Sequence, residues 1–249
     1  MSTNREEEIA NYLKGNFNIE NPLSVKAFSY GKLHEHFIGT DSISNKKLFI
    51  KVDTYTKGDA AKREAEILQI PSFQSSKFFP KVVHHSTNGN FPFVSFEYIT
   101  GSVLHTILND KSLKSKIFNN SDTIQMFIQQ LFTILKTLEH NKIIHRDIHP
   151  GNFMVTTNQM GQFKHIILID FSFSVGVNRF PELPFLIKTN KLAGLGLKKY
   201  KPDLYKWDNK YAIIKVIDQV YPLWREEFPE IWNEINSFDG VVYIHNNSL

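Results

Sequence analysis

The sequence predicts an α+β protein with an antiparallel sheet in its N-terminal part and a mainly helical C-terminal part. Runs of β-branched and aromatic residues, separated by short turns, follow one another up to about residue 99. Beyond them, the apolar residues of a long segment recur at intervals of three and four, the spacing of an amphipathic helix. With 249 residues, 41% of them hydrophobic, the chain is long enough for one two-lobed domain or two small ones.

The composition excludes some kinds of binding site and indicates where the protein is located. The chain has no cysteines, which excludes disulfide bonds and thiolate metal sites. The first residues are polar and lack the apolar core of a signal peptide, and no stretch has the length of a membrane span. We therefore expect a cytoplasmic protein. The net charge of +4 suits an anionic substrate or loose contact with an anionic membrane surface, although lysines that simply face water explain it equally well.

The first elements are predicted to be a short helix and a hairpin. A helix is expected over residues 3–13, and the Asn-rich stretch 15–22 should break it. Two strands are expected over residues 24–30 and 36–40, joined by a turn that contains Gly31.

The next strand carries a lysine between aliphatic residues. Over residues 47–52, alternation places Lys51 on the same face as Phe49 and Asp53, opposite three aliphatic side chains. The sequence that follows predicts a helix over residues 59–68.

Two further strands and a long helix complete the coarse pattern. Strand-like runs span 78–85 and 93–99 with a turn at 87–90, and we expect a domain boundary near Thr100. The long helix begins at Ser121–Asp122, either of which could cap it. Its apolar stripe predicts core packing and consists of Ile124, Phe127, Ile128, Leu131, Leu135 and Leu138.

Three polar residues then stand between apolar, strand-like runs. The chain reads IIHRDIHPGNFMV and, after a turn-rich gap, HIILIDFSFS, which contain Asp147, Asn152 and Asp170. Strand ends hold side chains rigidly, and loops leave them open to a ligand. Carboxylate and amide oxygens are the ligands that hard divalent cations prefer. The alternative is a pair of ordinary polar turns.

These residues resemble a known family. H-R-D-I-H-P-G-N followed by I-D-F-S is similar to the catalytic and metal-binding loops of the protein-kinase-like superfamily. The His-Arg-Asp opening resembles eukaryotic-type protein kinases, whereas His-Pro-Gly resembles aminoglycoside and choline kinases. His149 stands where a protein kinase usually has Lys, and Ser172 replaces the last residue of Asp-Phe-Gly. Both departures weaken the interpretation that the acceptor is a protein more than they weaken the prediction of phosphoryl transfer.

The resemblance implies a two-lobed kinase fold, with an N-lobe over residues 1–99 that binds nucleotide and a C-lobe over residues 100–249 that holds the catalytic loops. It also implies ATP as substrate and Mg2+ as cofactor. Asp147 would act as the catalytic base or orient the acceptor hydroxyl. Asn152 and Asp170 would bind magnesium, and His149 would donate a hydrogen bond near the γ-phosphate.

The same resemblance assigns nucleotide contacts in the N-lobe. Lys51 would bind the α- and β-phosphates, with Glu64 as its ion-pair partner and Glu66 as the second candidate. Gly31 would lie over the phosphates, although only Gly31 and Gly39 remain of the usual glycine-rich loop. The adenine would meet the backbone of the hinge residues Glu97, Tyr98 and Ile99.

Other residues receive structural interpretations. His145 is expected to orient the metal-binding loop through its backbone, and Arg146 to form a local salt bridge rather than bind a phosphorylated loop. Asp208 is expected to brace the catalytic loop from a helix start near Trp207. A later helix over 222–235 is expected to break at Pro229.

The region after Asp170 resembles the family less closely. It has no Ala-Pro-Glu motif, and residues 180–184 are interpreted as an irregular loop. A run of lysines is interpreted as a solvated face or, alternatively, as a platform for an anionic acceptor. The run consists of Lys188, Lys191, Lys198, Lys199 and Lys201.

The resemblance favours ATP-dependent phosphorylation of a hydroxyl on a non-protein acceptor. The chain looks most similar to bacterial kinases that phosphorylate sugars of lipopolysaccharide and surface glycans. An aminoglycoside- or choline-type kinase, a Ser/Thr protein kinase and a pseudokinase scaffold are the alternatives. The intact set of Lys51, Asp147, Asn152 and Asp170 argues against a scaffold, and no motif supports nucleic-acid binding.

Overall fold

The computed structural model describes residues 2–25, 34–177, 179–189 and 191–245. The chain divides into two compact units. The first consists of Met1–Ser75 and Pro80–Ile99, and the second of Ser76–Phe79 and Thr100–Leu249. Antiparallel strands dominate the first unit and helices the second, which confirms the predicted α+β class.

Within its described residues, the first unit contains a five-stranded antiparallel sheet with the order β1-β2-β3-β5-β4. Its strands are β1 (Ile19–Ser24), β2 (His34–Asp41), β3 (Lys47–Asp53), β4 (Val82–Ser86) and β5 (Phe93–Glu97). Its helices are α1 (Ser2–Phe17), α2 (Asp59–Leu68) and α3 (Pro71–Ser75).

The first helix and strand differ from the prediction. Helix α1 continues through Gly15 to Phe17 and ends at Asn18, whose left-handed φ of 55° stops the helix. Strand β1 then occupies part of the stretch expected to be irregular, with a bulge around Asn21. Asparagine tolerates the positive φ of 47° that this bulge requires. Most of the strand expected over 24–30 lies outside the described residues, as does Gly31.

Strand β3 has the two faces that alternation predicts. Its aliphatic residues are fully buried in a core that includes Ile9 and Leu13 of α1. On the other face, the Asp53 carboxylate accepts hydrogen bonds from the N–H groups of Gly58 and Ala60, both at 3.1 Å. These groups lie at the start of α2, so Asp53 caps that helix. Helix α2 has the predicted bounds, Asp59–Leu68.

Among its described residues, the second unit contains a three-stranded sheet, β6-β8-β9, and two strand pairs, β7-β10 and β11-β12. The strands are β6 (Ser102–Val103), β7 (Ile143–Ile144), β8 (Phe153–Thr157), β9 (Phe163–Leu168), β10 (Val175–Gly176), β11 (Lys206–Asp208) and β12 (Val242–Ile244). The helices are α4 (Leu104–Asn109), α5 (Lys111–Ile117), α6 (Ser121–His140), α7 (Pro184–Lys188), α8 (Asn209–Val220), α9 (Trp224–Glu227) and α10 (Pro229–Ser237).

Helix α6 is the central helix of the second unit, and its predicted apolar stripe is buried. The predicted cap is wrong by one residue, because Asn120 rather than Ser121 or Asp122 accepts a hydrogen bond from the Thr123 N–H, at 2.8 Å. Asn120 has the extended backbone that an N-cap requires, whereas Ser121 is already helical.

The bounds of the C-terminal elements agree only in part with the prediction. Helix α8 begins at Asn209, because Trp207 belongs to strand β11. Helices α9 and α10 are separated at Phe228, directly before Pro229, as predicted. Pro184 begins helix α7, so the expected irregular loop ends earlier than residue 184. In the ranges that the structure describes, no helix combines the length and the apolarity needed to cross a bilayer.

Candidate active site

Two loops of the second unit carry the polar motif residues. The first connects β7 to β8 through a 3-10 turn at Pro150–Asn152, and the second follows β9. Arg146 in the first loop has a φ of 69°, and Asp170 in the second has a φ of 68°. Such left-handed conformations are uncommon for residues with side chains and cost about 1–3 kcal/mol each. The contacts around both loops must therefore hold these residues in place.

Asn152 fixes the carboxylate of Asp147. The Asn152 Nδ2 donates to the Asp147 carbonyl oxygen at 2.8 Å and to Asp147 Oδ2 at 2.9 Å. Because its amide nitrogen is engaged in this way, the amide oxygen of Asn152 is the atom of this side chain that could bind a cation. The Asp147 side chain keeps 32% of its surface exposed, which leaves its carboxylate accessible to an acceptor hydroxyl.

His149 has a defined orientation beside Asp147. Its Nδ1 accepts a hydrogen bond from the Gly151 N–H at 3.0 Å, which places the proton of a neutral imidazole on Nε2. That Nε2 lies 3.5 Å from Asp147 Oδ1. The ring centroid of Tyr200 lies 6.2 Å from that of His149. The available donor of His149 therefore faces the exposed carboxylate.

His145 joins the two loops. Its Nε2 donates to the Ile169 carbonyl oxygen at 3.0 Å, while the Ile169 N–H donates to the Asn152 carbonyl oxygen at 3.0 Å. The residue before Asp170 is thus held on both sides, as expected for a structural histidine. Complete burial lowers the pKa of His145 to about 4, although the negative charges of Asp147 and Asp170 act to raise it. The imidazole is therefore neutral at pH 7.

Arg146 forms the predicted local salt bridge. Its Nη1 donates to Glu182 Oε1 at 2.6 Å, and its Nε donates to the Phe173 carbonyl oxygen, also at 2.6 Å. The side chains of Arg146 and Glu182 are 0% and 8% exposed. A buried guanidinium paired in this way fixes the backbone of the catalytic loop next to Asp147.

Asn209, rather than the predicted Asp208, braces the catalytic loop. Asn209 Oδ1 accepts from the His145 N–H at 3.1 Å, and its Nδ2 donates to the Ile143 carbonyl oxygen at 2.7 Å. Asp208 instead caps helix α8 by accepting from the Tyr211 N–H at 3.0 Å. The helix starts later than predicted, which shifts the bracing role by one position.

The run of lysines divides into buried and exposed members. Lys201 is only 6% exposed, and its Nζ donates to the carbonyl oxygens of Ala193, Leu195 and Leu204 at 2.8, 2.9 and 3.0 Å. It therefore anchors its own segment and does not belong to an exposed platform. Lys198 and Lys199 are exposed in the 3-10 turn that directly precedes Lys201.

Gly196 supports the site although it lies outside the sequence motifs. Its φ is 75°, and a Cβ at this position would lie 2.4 Å from the Arg146 carbonyl oxygen. Only glycine satisfies both conditions without displacing the catalytic loop.

In the first unit, Lys51 and Glu64 form a buried ion pair. Lys51 Nζ lies 2.7 Å from Glu64 Oε2, and the side chains are 7% and 1% exposed. Glu66, the second candidate, is exposed and lies 3.9 Å from Lys62. The cation of Lys51 is thus held on the sheet face opposite the α1 core.

Two backbone amides of the hinge residues form hydrogen bonds within the first unit. The Glu97 N–H donates to the Lys81 carbonyl oxygen, and the Tyr98 N–H donates to the Lys47 carbonyl oxygen, both at 2.9 Å. These two amides are therefore engaged within the first unit.

The donor set of the second unit fits magnesium. In the described ranges of the chain, no three His, Cys, Asp or Glu side chains cluster as a protein-only metal site requires. Mg2+ is usually bound by one or two carboxylates together with substrate phosphates. An Asp170 carboxylate and an Asn152 amide oxygen, on two loops that the Ile169 hydrogen bonds link, are the kinds of ligand that this requirement calls for.

An antiparallel sheet with a buried Lys–Glu pair and a helical unit with linked Asp-Asn and Asp loops define a phosphotransferase of the protein-kinase-like class. The family model for the protein kinase domain matches residues 34–191, and the chain belongs to this family. It is therefore an ATP-dependent kinase, and ATP and Mg2+ are the usual substrate and cofactor of the family. No curated protein matches the sequence.

Proposed function

We propose that Asp147, Asn152 and Asp170 form the centre that transfers a phosphoryl group from ATP to an alcohol of a non-protein acceptor. The observation that carries this proposal is the linkage of the two loops. Asn152 holds the Asp147 carboxylate, and its carbonyl oxygen accepts from Ile169, the residue before Asp170. The side chains of Asp147 and Asn152 are thus bonded to each other, and the backbone directly before Asp170 is bonded to Asn152 within the same unit.

Asp147 has the orientation that a base requires. Asn152 holds one carboxylate oxygen, and the other faces His149 Nε2 and solvent. The acceptor hydroxyl gives its proton to Asp147 as its oxygen bonds to the γ-phosphorus and the bond to the ADP oxygen breaks. The Nε2–H of His149 stabilises the carboxylate or a phosphate oxygen. Asn152 and Asp170 would hold magnesium, which would neutralise negative charge on the phosphates.

The first unit supplies the remaining nucleotide contacts in this proposal. Lys51, oriented by Glu64, pairs with the α- and β-phosphates, because a buried ion pair fixes the ammonium before the ligand arrives. The backbone at Glu97, Tyr98 and Ile99 contacts adenine, with the amide of Ile99 as donor. Residues 1–99 act as the nucleotide-binding lobe and residues 100–249 as the catalytic lobe.

The proposed acceptor is a sugar of a bacterial lipopolysaccharide or surface glycan. Support comes from the His-Pro-Gly sequence and from the exposed lysines that precede Tyr200. Tyr200 lies next to His149, and the exposed Lys198 and Lys199 directly precede Tyr200. Tyr200 is only 8% exposed and its hydroxyl donates to Gln219, so this ring packs beside His149, whereas the exposed lysines suit the anionic groups of a glycan. The same charges would allow loose contact with an anionic membrane at its cytoplasmic face.

Two other acceptors remain as candidates. The match to the protein kinase domain favours a Ser/Thr side chain, and the His-Pro-Gly sequence is equally compatible with an aminoglycoside- or choline-type small molecule. A pseudokinase scaffold would not require the linked set of Lys51, Asp147, Asn152 and Asp170.

An acceptor screen tests the proposed function. Magnesium-dependent ATP consumption would be measured with lipopolysaccharide oligosaccharides, aminoglycosides, choline and Ser/Thr peptides. We expect the oligosaccharides to stimulate turnover most. In Asp147→Asn, an isosteric change, we expect turnover to fall roughly 10²–10⁴-fold while nucleotide affinity is retained. Equal turnover by wild type and Asp147→Asn would refute the assigned role, and stimulation by peptides alone would replace the glycan with a protein acceptor.

A further inference from the structure

The C-terminal strand β12 contacts the salt bridge of the catalytic loop. Strand β12 pairs antiparallel with β11, so that Tyr243 lies opposite Trp207. The Tyr243 hydroxyl donates to Glu182 Oε1 at 2.9 Å, the same oxygen that accepts from Arg146 Nη1 at 2.6 Å. The Arg146 guanidinium carbon lies 5.5 and 5.9 Å from the ring centroids of Trp207 and Tyr243. Both strands of this pair thus enclose the Arg146 side chain.

A second chain of hydrogen bonds begins just before β12. The Val241 N–H donates to Glu139 Oε2, and Glu139 Oε1 accepts from Asn209 Nδ2 at 3.1 Å. Asn209 Oδ1 accepts from the His145 N–H at 3.1 Å. The two chains therefore end on consecutive residues, His145 and Arg146, directly before Asp147. They reach the catalytic loop from a segment that lies about a hundred residues away in sequence.

We propose that strand β12 positions the catalytic loop and that Tyr243 is a positioning residue for Asp147. The inference rests on the proposed function in that Asp147 acts on the acceptor hydroxyl. Arg146 adopts a left-handed φ of 69°, which the loop adopts only while its side chain is held. Tyr243 closes that arrangement, because its hydroxyl shares the Glu182 oxygen that binds Arg146. Loss of this hydroxyl loosens the loop and misplaces the Asp147 carboxylate.

Tyr243→Phe tests the proposal because it removes the hydroxyl and keeps the ring. We expect kcat to fall about tenfold, the effect of losing one hydrogen bond to a charged group. The KM for ATP should change less than about twofold, because Tyr243 acts through Glu182 and Arg146, which are not proposed nucleotide-binding residues. Backbone amides of residues 144–152 should exchange hydrogen for deuterium faster, while those of α2 should be unaffected.

Tyr221→Phe is the matched control. The Tyr221 hydroxyl donates to Glu227, so this variant also removes a tyrosine–glutamate hydrogen bond, but in an exposed region beside α9. We expect wild-type kcat and wild-type exchange of residues 144–152. An equal effect of both substitutions would mean a general loss of stability and would overturn the proposal.

The exchange measurement separates this inference from the proposed function. If Asp147→Asn retains full turnover, the assignment of Asp147 fails, but faster loop exchange in Tyr243→Phe still supports positioning of the loop by β12. If exchange of residues 144–152 and kcat are both unchanged in Tyr243→Phe, the proposal is wrong whatever Asp147 does. A double-mutant cycle of Tyr243→Phe and Glu182→Gln should show that the effects of the two substitutions on kcat are coupled. Additive effects on kcat would also contradict the proposal.

Discussion

Glu139 is a buried acid whose ionisation opposes the folded state. Burial raises its pKa to about 7 from an ordinary 4.5, the Val241 N–H and the Asn209 amide act in the opposite direction, and Asp208 raises it further. Of the three neighbouring groups that shift this pKa, Asp208 is the one that itself titrates. The carboxyl group therefore retains its proton in the folded protein at pH values where it is ionised in the unfolded chain.

This shift predicts a pH dependence of stability. Between the unfolded pKa of 4.5 and the folded pKa of about 7, the folded state binds more protons, so its stability falls as pH rises through that range. Glu139→Gln should remove this part of the dependence. Urea unfolding at about pH 5 and about pH 8 measures it, with the exposed Glu234→Gln as control. A Glu139→Gln protein whose stability keeps the wild-type pH dependence would contradict the assignment of this dependence to Glu139.

Residue identities indicated the candidate site and the supporting roles of His145 and Arg146, but not the supports that come from distant segments. Asp147, Asn152 and Asp170 stand in a local motif, and their oxygen ligands are evident from the sequence alone. Asn209 contacts His145 across 64 residues, and no local pattern indicates such a pairing. Lys201 sits in a lysine run that resembles a solvated face, and only the tertiary fold brings three carbonyl oxygens around it.

At the scale of elements, the segment 192–200 is packed against the catalytic loop through Gly196. We expect Gly196→Ala to destabilise the protein by about 1–3 kcal/mol, because two features exclude a side chain there. The φ of Gly196 is 75°, and the added Cβ would lie 2.4 Å from the Arg146 carbonyl oxygen. We also expect the rate of ATP turnover to fall in this variant, together with the free energy of unfolding. Urea unfolding and ATP consumption measure the two effects.

Gly194→Ala provides the control within the same segment. A Cβ at Gly194 would meet no atom of the described chain within 4 Å, so we expect a change of less than about 0.5 kcal/mol. Equal stability of the two variants would show that the close approach of Gly196 to the loop does not matter.

The elements that the sequence predicted well are those with a strong internal pattern. Helices α2 and α6 follow from their apolar periodicity, and β3 from its alternation. Strand β12 has three residues, and its pairing with β11 depends on a partner more than thirty residues away, so no local pattern predicts it. Strand β1 includes an asparagine in a left-handed conformation, which is typical of a loop.

For the whole molecule, the α+β class followed from the order of strand-like and helical segments, and the kinase family from two short motifs, at residues 145–152 and 169–172. The acceptor could not be predicted in the same way, because the residues that would bind it lie after Asp170, where the sequence resembles the family least. His149, Tyr200 and the two exposed lysines come together only in the folded second unit.

The central claim is that Asn152 and Asp170 bind the magnesium of a nucleotide while Asp147 acts on the acceptor. The most direct test is the affinity for a non-hydrolysable ATP analogue, measured by calorimetry with and without Mg2+ in wild type, Asp147→Asn and Asp170→Asn. We predict that magnesium strengthens binding in wild type and in Asp147→Asn and loses most of its effect in Asp170→Asn. An equal magnesium effect in all three proteins would contradict the claim.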